Sequence, residues 1–394
     1  MLDKVDGYLS KKVEESITDG QKKIWSELLN LHSLKHWHQF SQSVVLLLKN
    51  EELSKGLDME DFWNSVILTY KATLAPYSVA VIARYVAHAI FDRVGKKEAY
   101  AFLDDLIKYF QSDVTAVIRL MTTKIEFYVK KGGLPDEGEP KPYEYIAQVL
   151  ELVETCPGKT DVLSWYYLSL MEFYRQTRDY TQFYRSIINY LNVADSSSFK
   201  NAENIQLYSY CMCEAAILSP DIYDLGECLN HPIHEKAISL TAENRWIHTF
   251  VRCFVTGDLV SFNDSDYKSR EIFNASSELL ERKIRLCAAL QLASTSPTTT
   301  IPYDAFVSVC SIPLNDVEYL LMKAVSKKLI KGKIDEVGKV FNLEWIKPRC
   351  LGKEHLGTLH TKYSDWRNTV CNLKNEYNMN LGELRESTVI APEV

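Results

Sequence analysis

Apolar side chains recur at three- and four-residue intervals from about residue 20 to residue 296, and no strand-like alternation of useful length interrupts them. A chain patterned in this way folds as packed helices. Ile24, Leu28 and Leu31 form one stripe, Trp37, Phe40, Val44 and Leu47 the next, then Phe62, Val66 and Tyr70, and then Val79, Ile82, Val86 and Ile90. Gly and Pro number only 15 and 12 in 394 residues, below ordinary usage, so tight turns are scarce and long helices are expected.

Between Asp161 and Ala194 two helices, carrying Trp165, Leu168 and Tyr174, then Phe183, Ile187 and Tyr190, make a pair that resembles a tetratricopeptide unit. The characteristic Gly of that repeat is absent, so the expectation is an irregular stack of helical hairpins, a right-handed TPR-like solenoid that buries a continuous core between neighbouring pairs. Residues 132–142 gather six glycines and prolines in eleven positions and read as an exposed loop. A second break, Ser294 to Pro302, ends the helical stack.

Beyond it the period changes. Pro302 suits the first turn of a short helix through Phe306 and Val309, and Pro313 closes the following turn. Asn315 is a candidate N-cap with Glu318 three residues on, and Val317, Leu320, Leu321, Ala324, Val325 and Leu329 form one stripe. A strand from Ile330 to Val337, punctuated by Gly332 and Gly338, then precedes a period-two run in which Phe341, Leu343 and Trp345 share a face. Helix, turn, helix and hairpin make a winged helix. The wing's Ile334, Val337, Phe341, Leu343 and Trp345 are candidate contacts to a neighbouring subunit, since a free strand edge can extend a partner's sheet.

From Lys353 to Asn380 only Gly357 disfavours helix, and Leu356, Leu359, Tyr363, Trp366, Val370, Leu373 and Tyr377 follow one another at spacings of 3, 4, 3, 4, 3 and 4. Such an a/d seam is narrower than the face of a helix lying on its own core and suits knobs-into-holes packing. These seven residues are candidate interface positions in a bundle of helices from several subunits.

The formal net charge of −7 argues against a phosphate backbone as principal partner. Lys323, Lys327, Lys328, Lys331 and Lys333 are the strongest signal for nucleic acid, but the second helix of the module has no Arg and no central Asn or Gln to read a base edge. No apolar stretch has the length of a membrane span, and nine cysteines, an odd number, fit reduced thiols better than a disulfide framework. The expected location is cytoplasmic and nuclear, with no membrane partner.

Chemistry finds little foothold. Cys211, Cys213, Cys228, His231 and His234 are tempting as a metal site, yet Cys211 and Cys213 are two apart on a helix and point in different directions, so core cysteines and a surface histidine turn are expected instead. His32, His36 and His38 read as a histidine-rich helix surface, without the acidic spacing of an H-E-x-x-H site. Gly133 and Gly138 have the spacing of a P-loop, but Glu139 and Pro140 stand where Lys and Ser/Thr are needed. No G-x-S-x-G elbow occurs and no carboxylate pair stands out. The expectation is no catalytic residue, no cofactor and no metal.

Five blocks, Lys35-His36-Trp37-His38-Gln39-Phe40, Gly226-Glu227-Cys228-Leu229-Asn230-His231-Pro232-Ile233, Leu320-Leu321-Met322-Lys323-Ala324, Gly332-Lys333-Ile334-Asp335-Glu336-Val337 and Trp345-Ile346-Lys347-Pro348-Arg349, resemble in order those of the non-ATPase subunit 13 family of the 26S proteasome regulatory particle. More broadly, a helical-hairpin stack closed by a winged helix resembles the PCI module of the proteasome lid, the signalosome and a translation initiation factor. The resemblance implies a mainly α fold, with N-terminal hairpins over 1–131, the loop 132–142, the helical part of a PCI module over 143–296, a winged helix over 297–350 and a bundle helix with its tail over 351–394. It further implies a non-catalytic scaffold of the lid in ubiquitin-dependent degradation. The partners would be other PCI subunits and the lid's helical bundle, including its metalloprotease-fold subunits, with room for a ubiquitin receptor nearby. The alternatives are a PCI protein of the signalosome or a translation initiation factor, or a nucleic-acid-binding winged helix. Cys228 departs from the family's usual Leu. Leu46 and Lys49 follow His36-Trp37-His38 where the lid's metalloprotease carries Ser and Asp.

Overall fold

Side-chain oxygens set where several helices begin. Thr18 accepts from the backbone N–H of Gln21, Asp58 from Glu60 and Asp61, Asp179 from Gln182, and Asp258 from Val260 and Ser261, each satisfying donors that have no partner within the helix. The computed structural model describes residues 2–15, 18–54, 57–131, 142–155, 158, 160–194, 201–240, 245–296, 298–347 and 353–389. These fall into two compact units, 1–204 and 205–394. The expected loop 132–142 lies outside the described residues except for Pro142, and the division between units comes at 204/205.

In the first unit the principal helices are Leu2–Glu15, Asp19–Ser33, Trp37–Lys49, Pro76–Arg93, Lys96–Tyr109, Val114–Lys131, Pro142–Glu154, Thr160–Thr177 and Tyr180–Val193. The expected hairpin between Asp161 and Ala194 is present: its two helices pack on each other, and the first also packs on Val114–Lys131. The stripes read from the sequence supply the core, with Leu28, Phe40, Val44, Leu47, Phe62, Val66, Val79, Ile82 and Val86 all buried. A π-helical turn, Trp63–Ile67, carries the third stripe through a change of helical phase.

Two polar groups in this unit correct the sequence reading. His32 is not on a histidine-rich surface; it is 1% exposed, with Nδ1 2.7 Å from Asp6 Oδ1 and Nε2 2.9 Å from the Tyr70 hydroxyl. Lys35, at φ 57°, breaks the helix between His32 and His36, so the two never share a face. Glu126 is a buried carboxylate that spacing had not singled out. It accepts from Arg84 Nε at 2.6 Å, lies 2.9 Å from His88 Nε2, and meets Arg119 Nη1 and Ser169 Oγ at 3.3 Å each. Burial alone would raise its pKa, but the His88 hydrogen bond and the charges of Arg119 and Arg84 outweigh it and bring it down to about 2. A carboxylate held ionised in this way ties helices together and is no proton donor at neutral pH.

The second unit opens with Ala202–Leu218, Gly226–Asn230, Pro232–Leu240, Arg245–Thr256, Leu259–Asp264, Glu271–Ala275 and Ser277–Thr295. Phe250 sits at the centre of an aromatic cluster, stacked on Phe262 and Tyr267 at 5.5 and 5.4 Å and edge-on to Phe254 and Phe273. Gly257 ends the helix that bears Phe250 at φ +69°, and a Cβ there would stand 2.7 Å from the Ala288 Cα, so no other residue fits. Buried Lys283 donates to the carbonyls of Ala216, Ile217 and Ser219 at 2.7, 3.1 and 2.6 Å, covering the C-terminal end of Ala202–Leu218. Burial draws its pKa down to about 7, while three acceptors engage all three N–H bonds of the ammonium form.

Next come strand β1 (Thr300–Pro302), helices Tyr303–Cys310 and Leu314–Ser326, strands β2 (Ile330–Asp335) and β3 (Val340–Ile346), and the terminal helix Lys353–Val389. The two short helices lie at 90° to each other, the angle of a helix-turn-helix. The wing has three strands where two were expected: the sheet order is β1-β3-β2, antiparallel throughout, with Ile301 opposite Phe341. Pro302 therefore ends a strand and N-caps the helix after it, in extended backbone at ψ 149°. Pro313 stands in the same way before Leu314, so the expected N-cap Asn315 falls inside the helix. β2 stops at Asp335, short of the expected Val337. A bulge at Lys331/Gly332 shifts its register, and a Cβ at Gly332 would collide with the Asn342 carbonyl oxygen and lie 2.6 Å from the Phe341 ring. Among the described residues no single helix is long and apolar enough to cross a membrane.

Candidate subunit interface

The terminal helix runs for 37 residues, about 55 Å at 1.5 Å per residue. The 3-4 spacing is kept throughout, Gly357 included. Every one of the seven seam residues is exposed, from Leu359 at 40% to Tyr377 at 67%. Among the described side chains from residue 356 to residue 378 none is buried. A single exposed Leu is ordinary, but seven large apolar side chains in one continuous seam are not, because a soluble surface rarely leaves so long an apolar stripe open to water.

The wing divides its candidate residues. Ile334 is 37% exposed, Val337 97% and Trp345 42%, and Leu343 is half-buried. Phe341 is the correction: it is fully buried, 6.4 Å from Phe306 in an edge-on contact, and belongs to the core of the winged helix. Because β3 is the central strand, its inward face is claimed by the helices of the same module, and β2 is left as an outer edge. The bulge leaves Glu344 of β3 unpaired and sets Leu343 and Trp345 opposite the consecutive residues Gly332 and Lys331, so Trp345 leaves the face that Phe341 and Leu343 share.

The lysines of the module are partly engaged within the chain. Lys327 donates to the Pro220 carbonyl at 2.9 Å and lies 3.1 Å from Asp221 Oδ1, Lys331 lies 5.1 Å from the centroid of the Trp345 ring, and Lys333 lies 3.8 Å from Glu344. That leaves a weaker cationic face for a nucleic-acid backbone than the five residues suggest in sequence.

One group of side chains has the donors of a metal centre. Cys213, His234 and His248, all buried, each bring a ligand atom within 4.8 Å of the others. The sequence reading placed His234 on a surface turn, whereas it is 3% exposed. His248 was missed because it stands 14 residues from His234, although it lies on the buried face of Arg245–Thr256 with Ile247, Val251 and Phe254. Burial first, and then the neighbouring His248 and His231, lower the pKa of His234 to about 4. Burial also lowers that of His248 and raises the Cys213 thiol well above its usual value.

The family model for PSD13 N-terminal repeats matches residues 24–251, more than half of the chain, and that for the PCI domain matches residues 262–345. The 26S proteasome non-ATPase regulatory subunit 13 of Dictyostelium discoideum is 25% identical over 348 residues, 84% of this chain and 86% of that protein. The probable 26S proteasome regulatory subunit rpn9 of Schizosaccharomyces pombe is 25% identical over 357 residues, 88% and 89% of the two chains. A more distant likeness extends to eukaryotic translation initiation factor 3 subunit M of Pyricularia oryzae, 22% identical over 379 residues, 92% of this chain and 79% of that one. With hairpin repeats followed by a winged helix, and relatives that match along nearly its whole length, the chain belongs to the 26S proteasome non-ATPase regulatory subunit 13 family.

Proposed function

We propose that this chain is a scaffold of the regulatory-particle lid, working in the cytoplasm and nucleus, and that it holds its place through two surfaces. The uncovered a/d seam of the terminal helix carries the proposal: packed among helices of other lid subunits, those seven side chains lose their contact with water. The outer edge of the wing, with Ile334, Val337 and Trp345 exposed, meets a neighbouring PCI subunit, and strand β2 supplies unpaired backbone donors and acceptors for sheet extension. Like its relatives among the regulatory subunits, the chain contributes to ubiquitin-dependent degradation as architecture and not as a catalyst.

Substituting Leu359, Trp366 and Leu373 with Asp tests the seam. A carboxylate at a packed a/d position is desolvated without a counter-charge, so the triple variant is expected to fold normally alone and to vanish from proteasome-sized fractions of a cell extract. Loss of folding in the isolated variant would instead assign the helix to the chain's own core. Wild-type protein that sediments with ribosomal subunits and not with the proteasome would favour the translation-factor alternative that the more distant likeness raises.

A further inference from the structure

We propose that Cys213, His234 and His248 form a structural metal centre for a borderline-soft divalent cation, Zn²⁺ in the first instance, that fastens three helices of the second unit together. The donors come from Ala202–Leu218, Pro232–Leu240 and Arg245–Thr256, segments that no strand or disulfide joins among the described residues. Both imidazoles turn Nδ1 toward the same sulfur, at 3.9 Å for His234 and 3.8 Å for His248, and the two rings stand edge to face with centroids 4.2 Å apart.

Three points favour a ligand set over a packed polar cluster. Donor spacing comes first: ligands at about 2.3 Å for sulfur and 2.0–2.1 Å for nitrogen around a tetrahedral ion stand about 3.5 Å apart, both sulfur-to-nitrogen distances here are within a few tenths of an ångström of that value, and all three donor atoms lie within 4.8 Å of one another. Next, the existing contacts are poor hydrogen bonds. A thiol has one weak proton to share between two nitrogens, and both distances lie at the far limit for sulfur. Last, thiolate with imidazole is the donor chemistry that selects zinc over the hard cations, and no carboxylate belongs to the group. Binding releases the Cys213 proton to solvent and leaves both rings neutral, with the fourth position open to a water molecule.

Cobalt is the probe, because Co²⁺ takes zinc sites and reports its ligands by absorption. The purified full-length chain, stripped with chelator and kept reduced, is titrated with Co²⁺. Visible ligand-field bands and a near-ultraviolet thiolate-to-cobalt band are expected to saturate at about one equivalent and to disappear on addition of Zn²⁺. Cys213→Ser removes the thiolate band. His234→Gln and His248→Gln each weaken Co²⁺ binding by at least about tenfold, the smallest loss to expect when even an outer partner of a metal site costs that much. Cys371→Ser, which removes an exposed thiol on the terminal helix, changes nothing. If Cys213→Ser does not fold, as judged by circular dichroism, the wild-type titration and the two histidine variants decide. Absence of saturable bands in the wild type overturns the proposal. So do bands that survive Cys213→Ser, affinity indifferent to both histidine variants, or bands lost with Cys371→Ser.

Discussion

Charge states of two buried residues set how the isolated, metal-free chain responds to acid. His234 has its pKa lowered to about 4 from an ordinary 6.5, so between those values the unfolded chain binds the proton that the folded chain refuses. Stability from this residue is complete above pH 6.5 and is lost as pH falls toward 4, a change on the order of 3 kcal/mol. Glu126, brought from 4.5 down to about 2, has the same sign in a lower window: its contribution is present above 4.5 and lost as pH falls toward 2. Urea midpoints measured from pH 7.5 downward are therefore expected to decline in two stages, with His234→Gln reducing the upper stage only, to which His248 and His231 also contribute because burial lowers their pKa values as well. A midpoint constant from pH 6.5 to 4.5 would contradict this. Glu126 could not be picked from spacing, and His234, a metal candidate in the sequence, could not be paired with His248. The partners of Glu126 lie 42, 38, 7 and 43 residues away, and the donors around His234 are 21 and 14 residues distant, so only the fold brings them together.

Elements were legible in proportion to how local their signals are. The terminal helix is written in a repeat that needs no tertiary knowledge, and the structure carries it nine residues past the expected Asn380. The hairpin between Asp161 and Ala194 was equally plain, for the same reason. Strand β1 was missed because three residues cannot display a period, although the β-branched run Thr298-Thr299-Thr300-Ile301 was a usable hint. Phe341 was misassigned because alternation tells which residues share a face and not which face is covered, and here a third strand makes β3 central. The wing's residues should accordingly separate in experiment. Phe341→Ala is expected to cost the isolated chain about 3–5 kcal/mol, as for a buried aromatic, whereas Trp345→Ala costs it about 1 kcal/mol or less. Urea denaturation measures both. Incorporation into the lid should fall for Trp345→Ala despite its normal stability, and equal destabilisation by the two variants would refute the division.

At the scale of the whole molecule, family membership and mainly helical architecture were readable from the sequence, while the position of the boundary between the compact units was not. A boundary inside a helical stack has no Gly- or Pro-rich marker, because residue 204 lies within the helix Ala202–Leu218. The uncovered terminal helix has a consequence for supply. A copy made in excess of its neighbours leaves about 30 Å of apolar seam, from Leu356 to Tyr377, on display, which is what chaperones and degradative proteases detect in orphans. Trypsin at limiting dose is expected to clip the lone polypeptide first at Lys362, Arg367 or Lys374 and to spare those bonds in the finished particle. The cell's count of this subunit would then be fixed by its partners, with every unmatched copy short-lived.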